Sequence, residues 1–299
     1  MRPLLLALAV VVLAPRVWAQ DEAAAGDTLR AADGWRTSLT ASLAGNQATH
    51  VNWQEGGVDA LAVTASAEGT FDRVVRGVLV AQSARLAFGV LRQDTLEFRK
   101  AADVARYDVS AELVSDNAVR PAAAFSARTQ FAAGFDYDPA PEDYPSLPVV
   151  PGQQVQVSGP LAPLTLGQSV GVAYRPGGGF RARTGLALKE TVVRVERLRP
   201  VYGNALDQPV RVEAGVDAEA VFEGPLVENV RLRSRLSAFQ GFGQLGETAP
   251  DALFENSLVL KVNSLLNVTL DATALYDGDV SEDLQFRESL AVGVTFDLL

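Results

Sequence analysis

The sequence predicts an all-β protein, a closed antiparallel transmembrane β-barrel of about twelve strands. Three observations point there. Nearly half of the residues are apolar (48%), yet no apolar run beyond the N-terminal segment nears the about 20 residues of a membrane-spanning helix. The apolar residues instead alternate with polar or small ones, the pattern of a sheet with two unlike faces. The connections between these alternating segments also come in two kinds, short and mostly longer, and the kinds take turns along the chain.

The chain begins with Met1-Arg2, runs apolar from Leu4 to Ala14, and reaches Val17-Trp18-Ala19 before Gln20. A charged start, an apolar stretch too short to cross a bilayer and a small-x-small site spell a cleaved secretory signal peptide over 1–19. The acidic, small-residue segment 20–34 reads as a short periplasmic tether, and 35–299 as the barrel. No cysteine is present, which excludes disulfides, thiolate metal sites and lipid attachment just after a signal peptide.

Alternation is clearest at the C-terminal end. Leu290, Val292, Val294, Phe296 and Leu298 form one apolar face, and Ser289, Ala291, Gly293, Thr295 and Asp297 the other. A helix would space its apolar residues three and four apart. The same period marks Val268–Tyr276, Leu258–Val262, Val230–Leu236 and Val210–Ala220. Earlier strands are expected at Trp35–Gly45, Asp59–Phe71, Val78–Val90, Val104–Leu113, Ala122–Phe135, Leu164–Tyr174 and Phe180–Glu190. The segments Val155–Ser158 and Val192–Val195 are left as strand extensions or an extra hairpin.

Short turns are expected at Asp72–Gly77, Val114–Pro121, Arg175–Gly179, Glu223–Asn229 and Ser264–Leu266. The other connections are Asn46–Val58, Leu91–Asp103, Asp136–Pro163, Thr191–Pro209, Gln240–Leu253 and the briefer Asp277–Asp283. That is the plan of a membrane barrel with short periplasmic turns, longer external loops and both termini in the periplasm. Aromatic residues on the apolar face agree. Trp35, Phe71, Tyr174, Phe222 and Phe296 fall at the periplasmic strand ends, and Phe88, Phe135, Phe254 and Tyr276 at the opposite ends. Two girdles are what membrane interfaces favour, and the strand middles are expected to hold Ala, Val and Leu.

The inner face should be charged. Glu213, Asp217 and Glu219 share one face of the eighth strand with Arg211, and Arg231, Arg233 and Arg235 share one face of the ninth. A turn makes these strands neighbours, so acids should meet guanidinium groups across the ladder. Arg106, Asp108, Glu112, Arg128, Gln130, Arg181 and Arg183 extend the same interior. Two readings stand: a packed network that satisfies buried charge, or a constriction that selects ions or anionic solutes.

The net charge of −10, from 26 basic and 36 acidic residues, argues against nucleic acid as a partner. Catalysis is not expected. The one histidine, His50, lies in the first long loop, so two-histidine metal motifs are excluded, and acids such as Asp217 and Glu219 have arginines beside them. No cofactor or metal is expected. In the first loop, Asn52, Trp53, Gly56 and Gly57 set an aromatic beside a flexible glycine pair, a candidate for recognising an external ligand. The Pro-rich segment 136–163 either plugs the barrel or projects outward.

At Asn52-Trp53-x-x-Gly56-Gly57 the chain resembles an uncharacterised outer-membrane barrel family common in Bacteroidota, domain of unknown function 3078. Further matches are Lys100-x-x-Asp103, Thr129-Gln130-Phe131 with Gly134, Leu188-Lys189-Glu190, Tyr202-Gly203, Glu213-x-Gly215, Asn229-Val230 and Tyr276-Asp277. The resemblance runs from about Trp35 to Leu299. It implies the fold and the location, and brings no catalytic residue.

The expectation is therefore a porin-like outer-membrane barrel of a Gram-negative envelope, either a narrow channel or a structural or receptor barrel working through its external loops. A soluble periplasmic barrel around a lipophilic ligand is the rival, and a dry, aromatic interior would favour it. Expected partners are outer-membrane lipid and lipopolysaccharide, the barrel-assembly machinery and a small solute.

Overall fold

The computed structural model describes residues 34–49, 59–94, 96–246 and 248–299. The signal peptide and nearly all of the tether lie outside them, as do His50, Asn52, Trp53, Gly56 and Gly57. The strands in chain order are β1 (Arg36–Ala48), β2 (Ala60–Val75), β3 (Val78–Gln93), β4 (Arg99–Leu113), β5 (Val119–Thr129), β6 (Gly134–Asp136) and β7 (Val155–Ser158). They continue with β8 (Leu164–Gly177), β9 (Phe180–Val192), β10 (Val210–Val227), β11 (Val230–Gly241), β12 (Asp251–Lys261), β13 (Leu266–Asp277) and β14 (Ser281–Asp297). All except β6 and β7 close into one antiparallel barrel, in the order β1-β14-β13-β12-β11-β10-β9-β8-β5-β4-β3-β2. The twelve expected strands are the twelve barrel strands, and β10 and β11 are the eighth and ninth of them.

Each hairpin follows from its sequence. Arg76 and Gly77 both adopt positive φ (50° and 77°), the pair of left-handed residues that a tight two-residue hairpin turn requires, and Val75 meets Val78 across it. The connections on that side stay short, while 49–59, 130–163, 193–209 and 242–250 are the long ones at the other end. The connection expected at Leu91–Asp103 is brief, at 94–98, because β4 begins at Arg99, and the one at 278–280 is brief as expected.

Several strand boundaries depart from expectation: β5 starts at Val119, inside the turn expected at Val114–Pro121, and β10 runs on to Val227, inside the turn expected at Glu223–Asn229. β5 stops at Thr129, so Phe135 belongs to the small β6–β7 sheet and not to the barrel girdle. The cause is side-chain competition for the backbone. Asp103 accepts the Phe131 and Ala132 amides at 3.0 and 2.8 Å, and Thr129 Oγ1 donates to the Pro163 carbonyl at 2.8 Å. Phe131 takes the upper position instead and packs on Phe88, with ring centroids 5.6 Å apart. The segment Val155–Ser158 pairs with 134–136, which makes it the extra hairpin.

The outer wall is apolar and bare. Val170, Leu186 and Leu290 are 70, 67 and 58% exposed, and Leu43, Val63, Leu86, Val212, Leu236, Phe254, Val292 and Phe296 are exposed with them. Tyr107 and Phe125 stand exposed in mid-strand, so the wall is less purely aliphatic than the sequence suggested. On the inner face, charged side chains such as Asp108, Glu112 and Arg235 stand among buried apolar ones, Leu79 and Val221. The fully buried apolar cluster lies in the loops, where Leu147, Ala162, Val193 and Leu198 meet beneath Tyr144, Val155, Val195, Val201 and Tyr202. The connections 130–163 and 193–209 thus form a small folded cap with a core of its own.

Candidate functional site

The strongest chemistry sits on the inner wall, in ion pairs that join strands far apart in the barrel order. Arg106 on β4 reaches Glu255 on β12 at 2.7 Å, and five strands separate these two either way round. Arg235 on β11 binds Asp108 on β4 through both terminal nitrogens at 3.2 Å, and also Glu219 on β10. Arg233 reaches Glu68 on β2 at 3.1 Å, while Arg85 holds the other oxygen of the same carboxylate at 3.1 Å. Arg106 joins the Arg235 pair through Asp108 at 2.9 Å. Opposite walls are therefore tied together across the lumen, the Arg106 and Arg235 pairs largely withdrawn from water and the Glu68 pairs partly exposed.

The predicted residues divide among three places. Asp217, Glu219 and Arg235 belong to this central network, with Arg183 bound to Asp217 and 3.5 Å from Glu219. Arg211 and Glu213 sit at the upper rim. Arg231 stands 67% exposed at the lower mouth, 3.9 Å from Glu223, at the edge of the network. The expected face-to-face ladder between β10 and β11 is thus mostly absent. In the register Arg233 does face Glu223, at 3.9 Å, but Asp217 faces Phe239 and Glu219 faces Ser237. The arginines consequently find their counter-ions diagonally or across the barrel. Glu112 is held by both Nε and a terminal nitrogen of Arg175 at 2.6 and 2.8 Å, near the lower end. Gln130 is not lumenal: it accepts from Lys100 at 2.8 Å and from Ser158 at 3.0 Å beneath the cap.

At the upper rim, Lys189 binds Asp251 at 2.5 Å and lies 3.9 Å from Glu213, while Arg211 binds Glu213 at 3.3 Å and Asp279 at 2.6 Å. Asp251, Asp277 and Asp279 bring carboxylate oxygens within 4.8 Å of one another, the one set among the described residues with the spacing of a cation site. The neighbouring Lys189 and Arg211 already offset much of that charge. The tip of the cap reaches this rim, since a Cβ on Gly203 would stand 3.0 Å from that of Asp279 and Arg211 donates to the Tyr202 carbonyl.

In the cap, Tyr202 donates to the Val157 carbonyl at 2.9 Å, and burial pushes its phenol above the usual tyrosine range. Tyr144 donates to Asp136 at 3.0 Å, and burial, the hydrogen bond and the Asp136 charge push its phenol up to about 12.

Residues missed from sequence are Glu68, Arg85, Lys189, Asp251, Glu255, Asp279 and Arg287. Alternation places Glu68 and Arg85 on the polar face of strands already recognised, so their inward aim was legible. Which wall they reach was not. The residues that carry the family resemblance come together in two of these places: Lys100, Asp103, Thr129, Gln130 and Gly134 at the foot of the cap, and Lys189, Gly203, Glu213 and Asp277 at the rim.

No curated protein matches the chain. Among solved structures, the translocator domain of the autotransporter NalP from Neisseria meningitidis aligns at 11% identity, covering 92% of this chain and 95% of that one, with a TM-score of 0.34. The Pseudomonas putida toluene transporter TodX aligns at 8% identity over 91% of each chain (TM-score 0.31). Salmonella typhi OmpF aligns at 10% identity over 88% of this chain and 97% of its own (TM-score 0.34). These likenesses say nothing about what this barrel binds or passes. Residues 46–135, from the end of β1 into the foot of the cap, match the model of a family described as a protein of unknown function, DUF3078.

Proposed function

We propose that the protein is an outer-membrane β-barrel acting as a narrow channel, its conductance set by ion pairs that join opposite walls of a charged lumen. The observation that carries this reading is the cross-lumen set Arg106–Glu255, Arg235–Asp108 and Arg233–Glu68. A bare apolar wall around a charged interior suits a bilayer, where a closed barrel leaves no strand edge to hydrocarbon. On β14 the inward-facing Gln285, Arg287 and Ser289 are exposed, in the part of the strand that runs beyond its pairing with β1 at Val292–Asp297.

Charged rings set the selectivity of such pores, and a network of guanidinium arms is a barrier that polar solutes can pass only where the arms leave room. This reading includes no catalytic residue and no cofactor. Its partners are outer-membrane lipid and lipopolysaccharide around the wall, the assembly machinery during insertion, and a small solute within.

Planar-bilayer recording tests it. Arg235→Gln removes a side chain that ties β4, β10 and β11 together, and single-channel conductance should rise at least twofold over the wild-type value. A folded variant with unchanged conductance, or a wild type and variant that both never conduct, would overturn the channel and leave a structural barrel. The folded cap supports one further reading, an external platform for recognition, because its loops have a buried core instead of hanging free. Removing 137–154 would abolish such recognition while leaving the conductance of the barrel measurable.

A further inference from the structure

Three inward arginines stand in one cross-strand row. In the register Glu68 on β2 faces Arg85 on β3, Arg85 faces Arg106 on β4, and Arg106 faces Arg128 on β5, with Thr165 of β8 next in line. Like charges directly opposite on neighbouring strands repel, and here the arrangement occurs twice in succession. The supply of carboxylates explains only part of it. Glu68 is shared between Arg85 and Arg233, Asp108 between Arg106 and Arg235, and Glu255 is engaged by Arg106.

Arg128 is left over. Among the described residues no carboxylate lies within ion-pair distance of it; Glu255 attracts it from farther off, while Arg106, Arg287 and Arg235 repel it. Arg287, on β14, is likewise without an ion pair among the described residues, and it is exposed. Four strands separate β5 from β14 by the shorter way round, so these two guanidinium groups approach the same space from different walls. Arg128 is half-buried on the wall, and Arg287 is exposed.

We propose that Arg128 and Arg287, with Arg106 beside them, form a lumenal binding site for a small oxyanion, a phosphate or a carboxylate. Guanidinium forks recognise both groups through paired N–H···O contacts, and a site with surplus positive charge and a hydrated entrance favours a mobile anion over a fixed one. The exposed inward residues Gln285 and Ser289 lie on the same face of β14 as Arg287 and offer further donors beside it. An anion held there would neutralise the row at the point where the protein's own acids run out. The site goes beyond the channel reading and stands whether or not the barrel conducts.

Calorimetric titration of the purified barrel in detergent tests this, with inorganic phosphate in one arm and succinate in the other, ionic strength being held constant with chloride. Saturable binding of at least one anion is expected in the wild type. Arg128→Gln and Arg287→Gln should each weaken it tenfold or more, and Arg194→Gln, an exposed cap residue, should not. Heat-modifiable mobility on a denaturing gel verifies that each variant is folded. If Arg128→Gln fails to fold, the exposed Arg287 still provides the test. Absence of saturable binding with both anions, or wild-type affinity in a folded Arg287→Gln, would overturn the proposal. Conductance is measured separately, so loss of the site and loss of the channel are distinguishable.

Discussion

Arg235 is bound by acids from two other strands, Asp108 of β4 and Glu219 of β10, and Arg106 by Asp108 and by Glu255 of β12. A charge taken out of water must be compensated closely, because an isolated one costs far more than a pair returns. Sharing Glu68, Asp108 and Glu219 each between two arginines achieves this for much of the wall, and Arg128 marks where it fails. In the cap, Tyr144 allows a direct titration. Its phenol is raised from the ordinary value to about 12 by burial and by Asp136, so the folded state favours the protonated form. That contribution is fully present below pH 10 and is lost as pH rises from there toward 12. Difference absorbance of the wild type against Tyr144→Phe should show one phenol ionising near pH 12, and a midpoint at 10 would contradict the Asp136 contact. The inward aim of Asp108, Asp217, Glu219, Arg233 and Arg235 was legible from alternation. Their partners were not, since pairing across a lumen depends on how the sheet closes and how far a side chain reaches.

Strands carry the next layer of argument. Gly171 of β8 and Gly185 of β9 face each other in the register, and a Cβ on Gly171 would lie 2.1 Å from the Thr184 carbonyl oxygen. Glycine here lets neighbouring backbones approach closely and the wall bend sharply, as closing a barrel requires. Gly171→Val should therefore destabilise the barrel by about 1–3 kcal/mol, the usual range for overpacking. Gly243→Ala, with nothing within 4 Å, should be neutral. Urea unfolding in lipid vesicles compares the two, and equal midpoints would sink the claim that Gly171 shapes the wall. The strands themselves were legible because period two is local. The end of β5 at Thr129 was not, because Asp103, distant in sequence, captures the amides that would have continued the ladder.

At the scale of the molecule, polarity is turned inside out: charge within, apolar side chains without, and the buried apolar cluster in the loops. A soluble monomer rarely exposes so large a contiguous apolar surface, and this belt is the strongest argument for a bilayer. Leu186, 67% exposed near the middle of β9, offers a direct probe. Leu186→Arg should cost about 2–4 kcal/mol, the penalty for arginine at the midplane of a membrane barrel. The same substitution at an exposed, water-facing position would be nearly neutral. Unfolding of the vesicle-inserted protein measures the difference, and a change under about 0.5 kcal/mol would place Leu186 in water.

The amino-acid sequence by itself determined the strands, the turns, the even strand count and the sign of each face. All of these follow from the identities of residues close together in the chain, through alternation and turn chemistry. Only the tertiary structure decided which charges meet. The row Arg85–Arg106–Arg128, the bridges from β4 to β11 and β12, and the junction of cap and rim depend on strand register and on the barrel's curvature. Those bring residues far apart in sequence within a few ångströms, and nothing local encodes them.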